Sequence, residues 1–194
     1  GQAALTVTAT ADSKTYDGQT YGGGNGVTYS GWKNSDSATV LGGTLSYAGN
    51  SQGAVNAGSY TITPQGLTSS NYAITFNSGT LTIGQAALTV TATAASKTYD
   101  GQTYVGGNGV TYSGWKGSDS ATVLGGTLSY AGNSQGAVNA GGYTITPQGL
   151  TSSNYAITFN SGTLTVNRRL LTLSANKTYD GGTSLTGALT LGNL

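Results

Sequence analysis

Apolar and hydroxyl side chains alternate in short runs from the first residues of the chain. Leu5, Val7 and Ala9 take turns with Thr6, Thr8 and Thr10, the period of two expected of a strand with one buried face. Runs of the same kind at 27–30, 44–48, 59–63, 71–76 and 80–83 predict further strands. Clusters rich in Gly and Asn at 22–26, 49–53 and 77–79 separate them and supply the positive-φ positions that turns need. Pro64 follows the 59–63 run and is expected to end it. One stretch breaks the alternation. Ser35-Asp36-Ser37 opens it, Ala38-Thr39-Val40-Leu41 continues it and Gly42-Gly43 closes it, which predicts a helix of one or two turns capped by Asp36. The inward-facing positions give a small predicted core of Leu5, Val7, Val27, Tyr29, Leu41, Leu45, Tyr47, Tyr60, Ile62, Tyr72, Ile74, Phe76, Leu81 and Ile83.

The whole pattern then returns. Residues 84–166 repeat residues 1–83 at an offset of 83, with 78 of 83 positions identical. The five differences are Asp12/Ala95, Gly22/Val105, Asn34/Gly117, Ser59/Gly142 and Ile83/Val166. A shorter, divergent third start occupies 167–194, where Lys177-Thr178-Tyr179-Asp180-Gly181 echoes Lys14-Thr15-Tyr16-Asp17-Gly18 and Lys97-Thr98-Tyr99-Asp100-Gly101. The expected fold is therefore mainly β: tandem small β domains, sandwich or β-grasp-like, with one short helix per repeat. Between the last run of one repeat and the first of the next lie only Gly84-Gln85-Ala86-Ala87. So short a connector leaves too little chain to fold one repeat back beside the other, and the repeats are expected end to end, as a rod. Units this small gain from neighbours, as in other arrays.

Composition narrows the function. Charged residues make up 7% of the chain, seven basic residues stand against six acids (all Asp), and there is no His or Cys. A net charge of +1 offers no phosphate-tracking surface, so nucleic acid is not an expected partner. No apolar run has the ~20 residues of a membrane-spanning helix, and no signal peptide opens the chain. It reads as a piece of a longer exported chain whose targeting signals lie elsewhere.

Several spaced motifs occur in order and twice. They are Ser13-Lys14-Thr15-Tyr16-Asp17-Gly18 after the Leu-Thr-Val strand, Gly31-Trp32-Lys33 ahead of Asp36, Gly43-Thr44-Leu45-Ser46-Tyr47, Ala57-Gly58-Ser59-Tyr60-Thr61-Ile62, Ser70-Asn71-Tyr72-Ala73-Ile74 and Gly79-Thr80-Leu81-Thr82-Ile83. In these each 83-residue unit resembles the MBG domains of large bacterial surface and secreted proteins, filamentous-haemagglutinin-like adhesins of two-partner secretion among them. Residues 167–194 resemble the opening of a YDG repeat. Asp17 precedes Gly18 here, where many family members place Gly before the acid. The resemblance implies an extracellular, tandem, adhesin-associated segment and brings no catalytic residues with it.

Candidate chemistry is sparse. Without His, Cys or Glu, most acid–base and metal-hydrolase arrangements are unavailable, and no enzymatic activity is expected. Asp17 with Asp36, or Asp100 with Asp119, are the available carboxylate pairs, but turn and cap roles suit them better. Ser30-Gly31-Trp32-Lys33 and Ser113-Gly114-Trp115-Lys116 spell a Ser-x-x-Lys motif without its supporting partners. Calcium is the one conceivable cofactor, through Asp12 and Asp17, although Ala95 replaces Asp12 in the second copy. Trp32 and Trp115, with Tyr16, Tyr21 or Tyr29 beside them, offer flat apolar faces for sugar rings or, alternatively, cover a small β core. The Thr6-Thr8-Thr10 row resembles an ice-binding face but is a common strand pattern. Arg168-Arg169 marks the start of the third segment, and Asn176-Lys177-Thr178 spells a glycosylation acceptor.

Two readings follow. In the first, the repeats form a stalk or fibre of an adhesin or surface filament, with neighbouring repeats as partners and self-association through Thr-rich edges. In the second, they are weak, multivalent carbohydrate-binding modules built on Trp32 and Trp115.

Overall fold

The computed structural model describes residues 1–174, 178–179, 181–182 and 190–192. Asn176, Lys177 and Asp180, on which the glycosylation and third-repeat readings rest, lie outside the described residues.

The first copy folds into seven strands: β1 Ala3–Ala9, β2 Asp12–Thr15, β3 Val27–Ser30, β4 Gly42–Ala48, β5 Gly58–Thr68, β6 Tyr72–Asn77 and β7 Gly79–Gly84. They make a three-stranded sheet in the order β3-β1-β6 and a four-stranded sheet in the order β2-β7-β5-β4. Pairing is mixed. β1 runs antiparallel to β3, with Val7 opposite Tyr29, and parallel to β6, with Leu5 opposite Ile74. In the other sheet β2 lies parallel to β7, and β5 lies antiparallel to both β7 and β4.

The chain changes sheet at every connection but β4 to β5, and the last crossing, from β6 to β7, takes one residue, Ser78. Gly79 makes that crossing fit. A Cβ there would stand 2.5 Å from the Ala9 carbonyl oxygen, closer than real side chains come. The glycine serves a close approach of two backbones, and the 77–79 cluster is not a positive-φ turn.

The second copy repeats the plan with β8 Ala86–Ala92, β9 Ala95–Thr98, β10 Val110–Ser113, β11 Gly125–Ala131, β12 Gly141–Thr151, β13 Tyr155–Asn160 and β14 Gly162–Asn167, in sheets ordered β10-β8-β13 and β11-β12-β14-β9. Only Gln85 separates β7 from β8. A last antiparallel pair joins β15 Thr172–Ser174 to β16 Thr190–Gly192.

Three expectations need correcting. The predicted helix is a 3₁₀ turn of three residues, Ala38–Val40, repeated at Ala121–Val123. Its bonds run three residues back, Val40 N–H to Ser37 O and Leu41 N–H to Ala38 O. Asp36 does not cap it, because its carboxylate accepts the Tyr72 hydroxyl instead. Strand β4 then starts at Gly42 and leaves no room for a second turn. Pro64 does not end a strand either. β5 runs through it to Thr68, with Pro64 opposite Tyr47. β7 pairs with β5 only as far as Ile62, so Pro64 sits where one side of the strand has no ladder partner. Finally, Asp12–Thr15, which the alternation did not pick out, is a strand.

Leu5, Val7, Ile62, Tyr72, Leu81 and Ile83 of the predicted core are buried, and the rest of that set is half-buried. Tyr16, Ala9 and Ala54 join the core without having been expected there. The compact units do not follow the sequence repeats. One unit comprises Gly1–Val90 with Tyr112–Leu128 and Gly149–Thr158, and the other comprises Thr91–Thr111, Ser129–Gln148 and Phe159–Leu194. Within the first, Tyr16, Ile62, Leu81 and Ile83 of the first copy share one buried cluster with Ala86, Leu88 and Tyr155 of the second. The second has its own cluster of Ala92, Ala137, Ile145, Leu164 and Val166.

Candidate junction site around Asp119

The Lys-Thr-Tyr-Asp-Gly motif builds a turn that presents a tyrosine. Thr15 is the last residue of β2, paired with Gly84 of β7, and the Tyr16 N–H donates to the Gly84 carbonyl at 2.8 Å. Asp17 then closes the turn. Its Oδ1 accepts the Gln19 N–H at 2.9 Å and meets Lys14 Nζ at 2.7 Å, while Gly18 takes a left-handed φ of 76°. The Lys14 ammonium, with the Gln19 amide, holds the Asp17 carboxyl below the usual carboxylate range. Asp100 and Lys97 repeat the arrangement. The ring of Tyr16 emerges from this turn 5% exposed.

It ends on the second copy. The Tyr16 hydroxyl donates to Asp119 Oδ2 at 2.9 Å, and the Tyr155 hydroxyl donates to the same oxygen at 2.6 Å. The Tyr155 oxygen in turn accepts the Lys116 N–H at 2.9 Å. Edge-on ring contacts run alongside: Tyr16 to Tyr155 at 5.4 Å and 77°, then Trp115 to Tyr155 at 5.3 Å and 89°. Tyr112 completes the row, 5.2 Å from Trp115. Such pairs add about 0.5–1.5 kcal/mol each beyond their buried area. Burial first, then the Asp119 hydrogen bond, pushes Tyr155 up to about 12 and raises Tyr16 as well.

A second polar contact lies beside this row. Asn154 Oδ1 accepts the Ala57 N–H at 2.9 Å, and Asn154 Nδ2 donates to Asn56 Oδ1 at 3.0 Å. One of the five sequence differences also falls here, because a Cβ on Gly117 would lie 3.9 Å from the Asp17 carbonyl oxygen.

The residues singled out from sequence take these places. Trp32 and Trp115 are half-buried. Each indole is tilted against one tyrosine and meets a second edge-on: Tyr29 and Tyr72 around Trp32, Tyr112 and Tyr155 around Trp115. Both pack on apolar clusters. The proposed carboxylate pairs take separate partners, Lys14 for Asp17, Tyr72 for Asp36, Lys97 for Asp100, and Tyr16 with Tyr155 for Asp119. Asp12 is engaged at both oxygens, by the Ser13 N–H and by the Tyr21 hydroxyl. Tyr21 is thereby pushed up to about 12, by burial first and by Asp12 second. Among the described residues no group of three or more acidic or other metal-ligating side chains stands together. Asp119 was named from sequence only as a carboxylate partner for Asp100, and neither Asn154 nor Tyr155 was picked out as a site. The available signal was the thrice-written Lys-Thr-Tyr-Asp-Gly motif, whose tyrosine has no reason to recur in a plain turn.

Among the described residues no helix is long and apolar enough to cross a membrane. No curated protein matches the chain. The model of one domain family, the MBG domain of YGX type, matches twice, at residues 5–82 and 88–165. Domains of this kind are found in surface proteins, and the chain belongs to the MBG family, as a tandem of two of its domains.

Proposed function

We propose that this tandem is a structural segment of an extracellular surface protein, serving as stalk or fibre in an adhesin or a surface filament that acts in adhesion or a biofilm matrix. The observation that carries the reading is the shared cluster in which Tyr16 of one domain reaches Asp119 and Tyr155 of the next. A flexible string of binding modules has no need to bury a tyrosine of one module in its neighbour. An array that must transmit force does, because such contacts couple each repeat to the next. The carbohydrate reading has less to stand on, since Trp32 and Trp115 are half-buried and each packs against two tyrosines.

Small-angle X-ray scattering of the full chain over a concentration series tests the proposal. A single globule of this length has a radius of gyration of about 16 Å. A stalk segment is expected to exceed about 20 Å at every concentration. A value near that of the globule removes the stalk reading. Growth with concentration moves the assignment to filament material. Retention of the chain on a glycan array, lost on replacing both tryptophans, would restore the carbohydrate reading.

A further inference from the structure

The surface that receives Tyr16 is present twice, and the first copy of it carries no such tyrosine. We propose that the Asp36–Tyr72 face of the first domain is a docking surface for another MBG domain joined ahead of Gly1, entered by the tyrosine of that domain's Tyr-Asp-Gly turn. This rests on the reading of the chain as a structural tandem.

The two faces are built alike. Tyr72 donates to Asp36 Oδ2 at 2.7 Å and accepts the Lys33 N–H at 3.0 Å, as Tyr155 does with Asp119 and Lys116. Trp32 meets Tyr72 edge-on at the 5.3 Å and 89° found for Trp115 and Tyr155. What differs is the cover. Asp119 accepts two phenols, whereas Asp36 accepts one. Ala86 is completely buried, while its counterpart Ala3 is only half-buried. Asn154 is half-buried and bonded to Asn56 and Ala57, while its counterpart Asn71 is exposed.

The turn shows the same contrast from the other side, since Tyr16 is 5% exposed on its face and its counterpart Tyr99 is 40% exposed. Asn34 stands where the second copy has Gly117, both with left-handed backbone, and the Cβ it adds corresponds to an ordinary contact with the Asp17 carbonyl. The incoming turn brings its own Lys-Asp ion pair and so adds no net charge to the Asp36 carboxylate. The contact is directional: a turn with a phenol on one domain, a face with a carboxylate on the next.

The chain has no cysteine, so an engineered thiol pair reports cleanly. A further copy of residues 1–83 is fused to Gly1 of the full chain. Asn56→Cys in the added copy is paired with Asn71→Cys in the original first domain. The reference is the unextended chain with Asn56→Cys and Asn154→Cys, whose native side chains are 3.0 Å apart. With a short bismaleimide both pairs are expected to close at least about tenfold faster than in denaturing urea, where only the connecting chain holds the thiols together. Tyr16→Ser in the added copy should remove most of that advantage. Closure of the reference alone overturns the docking surface and leaves the stalk reading standing. Failure of both overturns the two together. Cross-linking between separate unextended chains, one carrying Asn71→Cys and the other Asn139→Cys, would also overturn the proposal by assigning the face to an independent copy.

Discussion

Asp119 joins the two domains at a single carboxylate oxygen. Its Oδ2 takes phenols from two domains, so Asp119→Ala strands two part-buried donors at once. Each costs about 1–3 kcal/mol when left unpaired, and urea unfolding of the variant should show a loss of about 2–6 kcal/mol. Asp36→Ala strands only Tyr72 and should show a smaller loss. Equal losses would mean that Tyr16 contributes nothing through its hydroxyl. The same hydroxyls set an alkaline limit. Tyr155 is pushed up to about 12 and Tyr16 is raised, above the ordinary phenol value of about 10. A group raised in the folded state contributes its full stability below its unfolded value and loses it as pH climbs through the folded one. Stability should therefore hold to about pH 10 and fall between there and about pH 12, with tyrosinate absorbance rising in step. In Tyr16→Phe the fall should be shallower.

At the scale of elements, the glycines divide into those that shape a sheet and those that only fill a loop. Gly79→Ala would drive a Cβ to 2.5 Å from the Ala9 carbonyl at the crossing between sheets. Overpacking of that kind costs about 1–3 kcal/mol, and Gly162→Ala should cost the same at Ala92. Gly22→Ala, with open space around it, should leave the thermal midpoint unchanged. The second copy already carries the larger Val105 at that position, 79% exposed.

These cases mark what the sequence discloses. The strands at Ala3–Ala9, Val27–Ser30 and Tyr72–Asn77 follow from alternation, because the larger apolar residues of each lie on a buried or half-buried face and the other face is wetter. Asp12–Thr15 escaped because its half-buried positions hold Asp12 and Lys14, so the same alternation of burial as in Val27–Ser30 leaves no apolar–polar pattern in the sequence. The helix misreading has a different origin. Ser35-Asp36-Ser37 does have capping chemistry, but a tyrosine from β6, 36 residues away, outcompetes the local backbone for Asp36. The junction was hidden for the same reason, since its phenol and carboxylate are 103 residues apart. No local pattern encodes a pairing at that distance.

At the scale of the molecule, the repeat that evolution copied and the unit that packs are out of phase. The sequence repeats at 83 residues, yet the first compact unit takes in Tyr112–Leu128 and Gly149–Thr158 from the second copy. A boundary drawn at Gly84 cuts through a buried cluster that holds Ile83 on one side and Ala86 on the other. If the packed unit is also the unit that opens, damage to it should cross the sequence boundary and spare part of the domain in which it is made. Hydrogen exchange with Asp119→Ala reads this directly. The amide of Tyr16, bonded to Gly84, should lose protection although it lies in the other repeat. The amides of Tyr104 and Ser134, in the same repeat as Asp119 but in the other compact unit, should keep theirs. The opposite pattern, with loss confined to 84–166 and Tyr16 unchanged, would make the sequence repeat the cooperative unit and reduce the tyrosine contact to a surface feature. With the expected pattern, an array of such domains resists opening at its joints as well as within its domains, because each joint lies inside a packed unit.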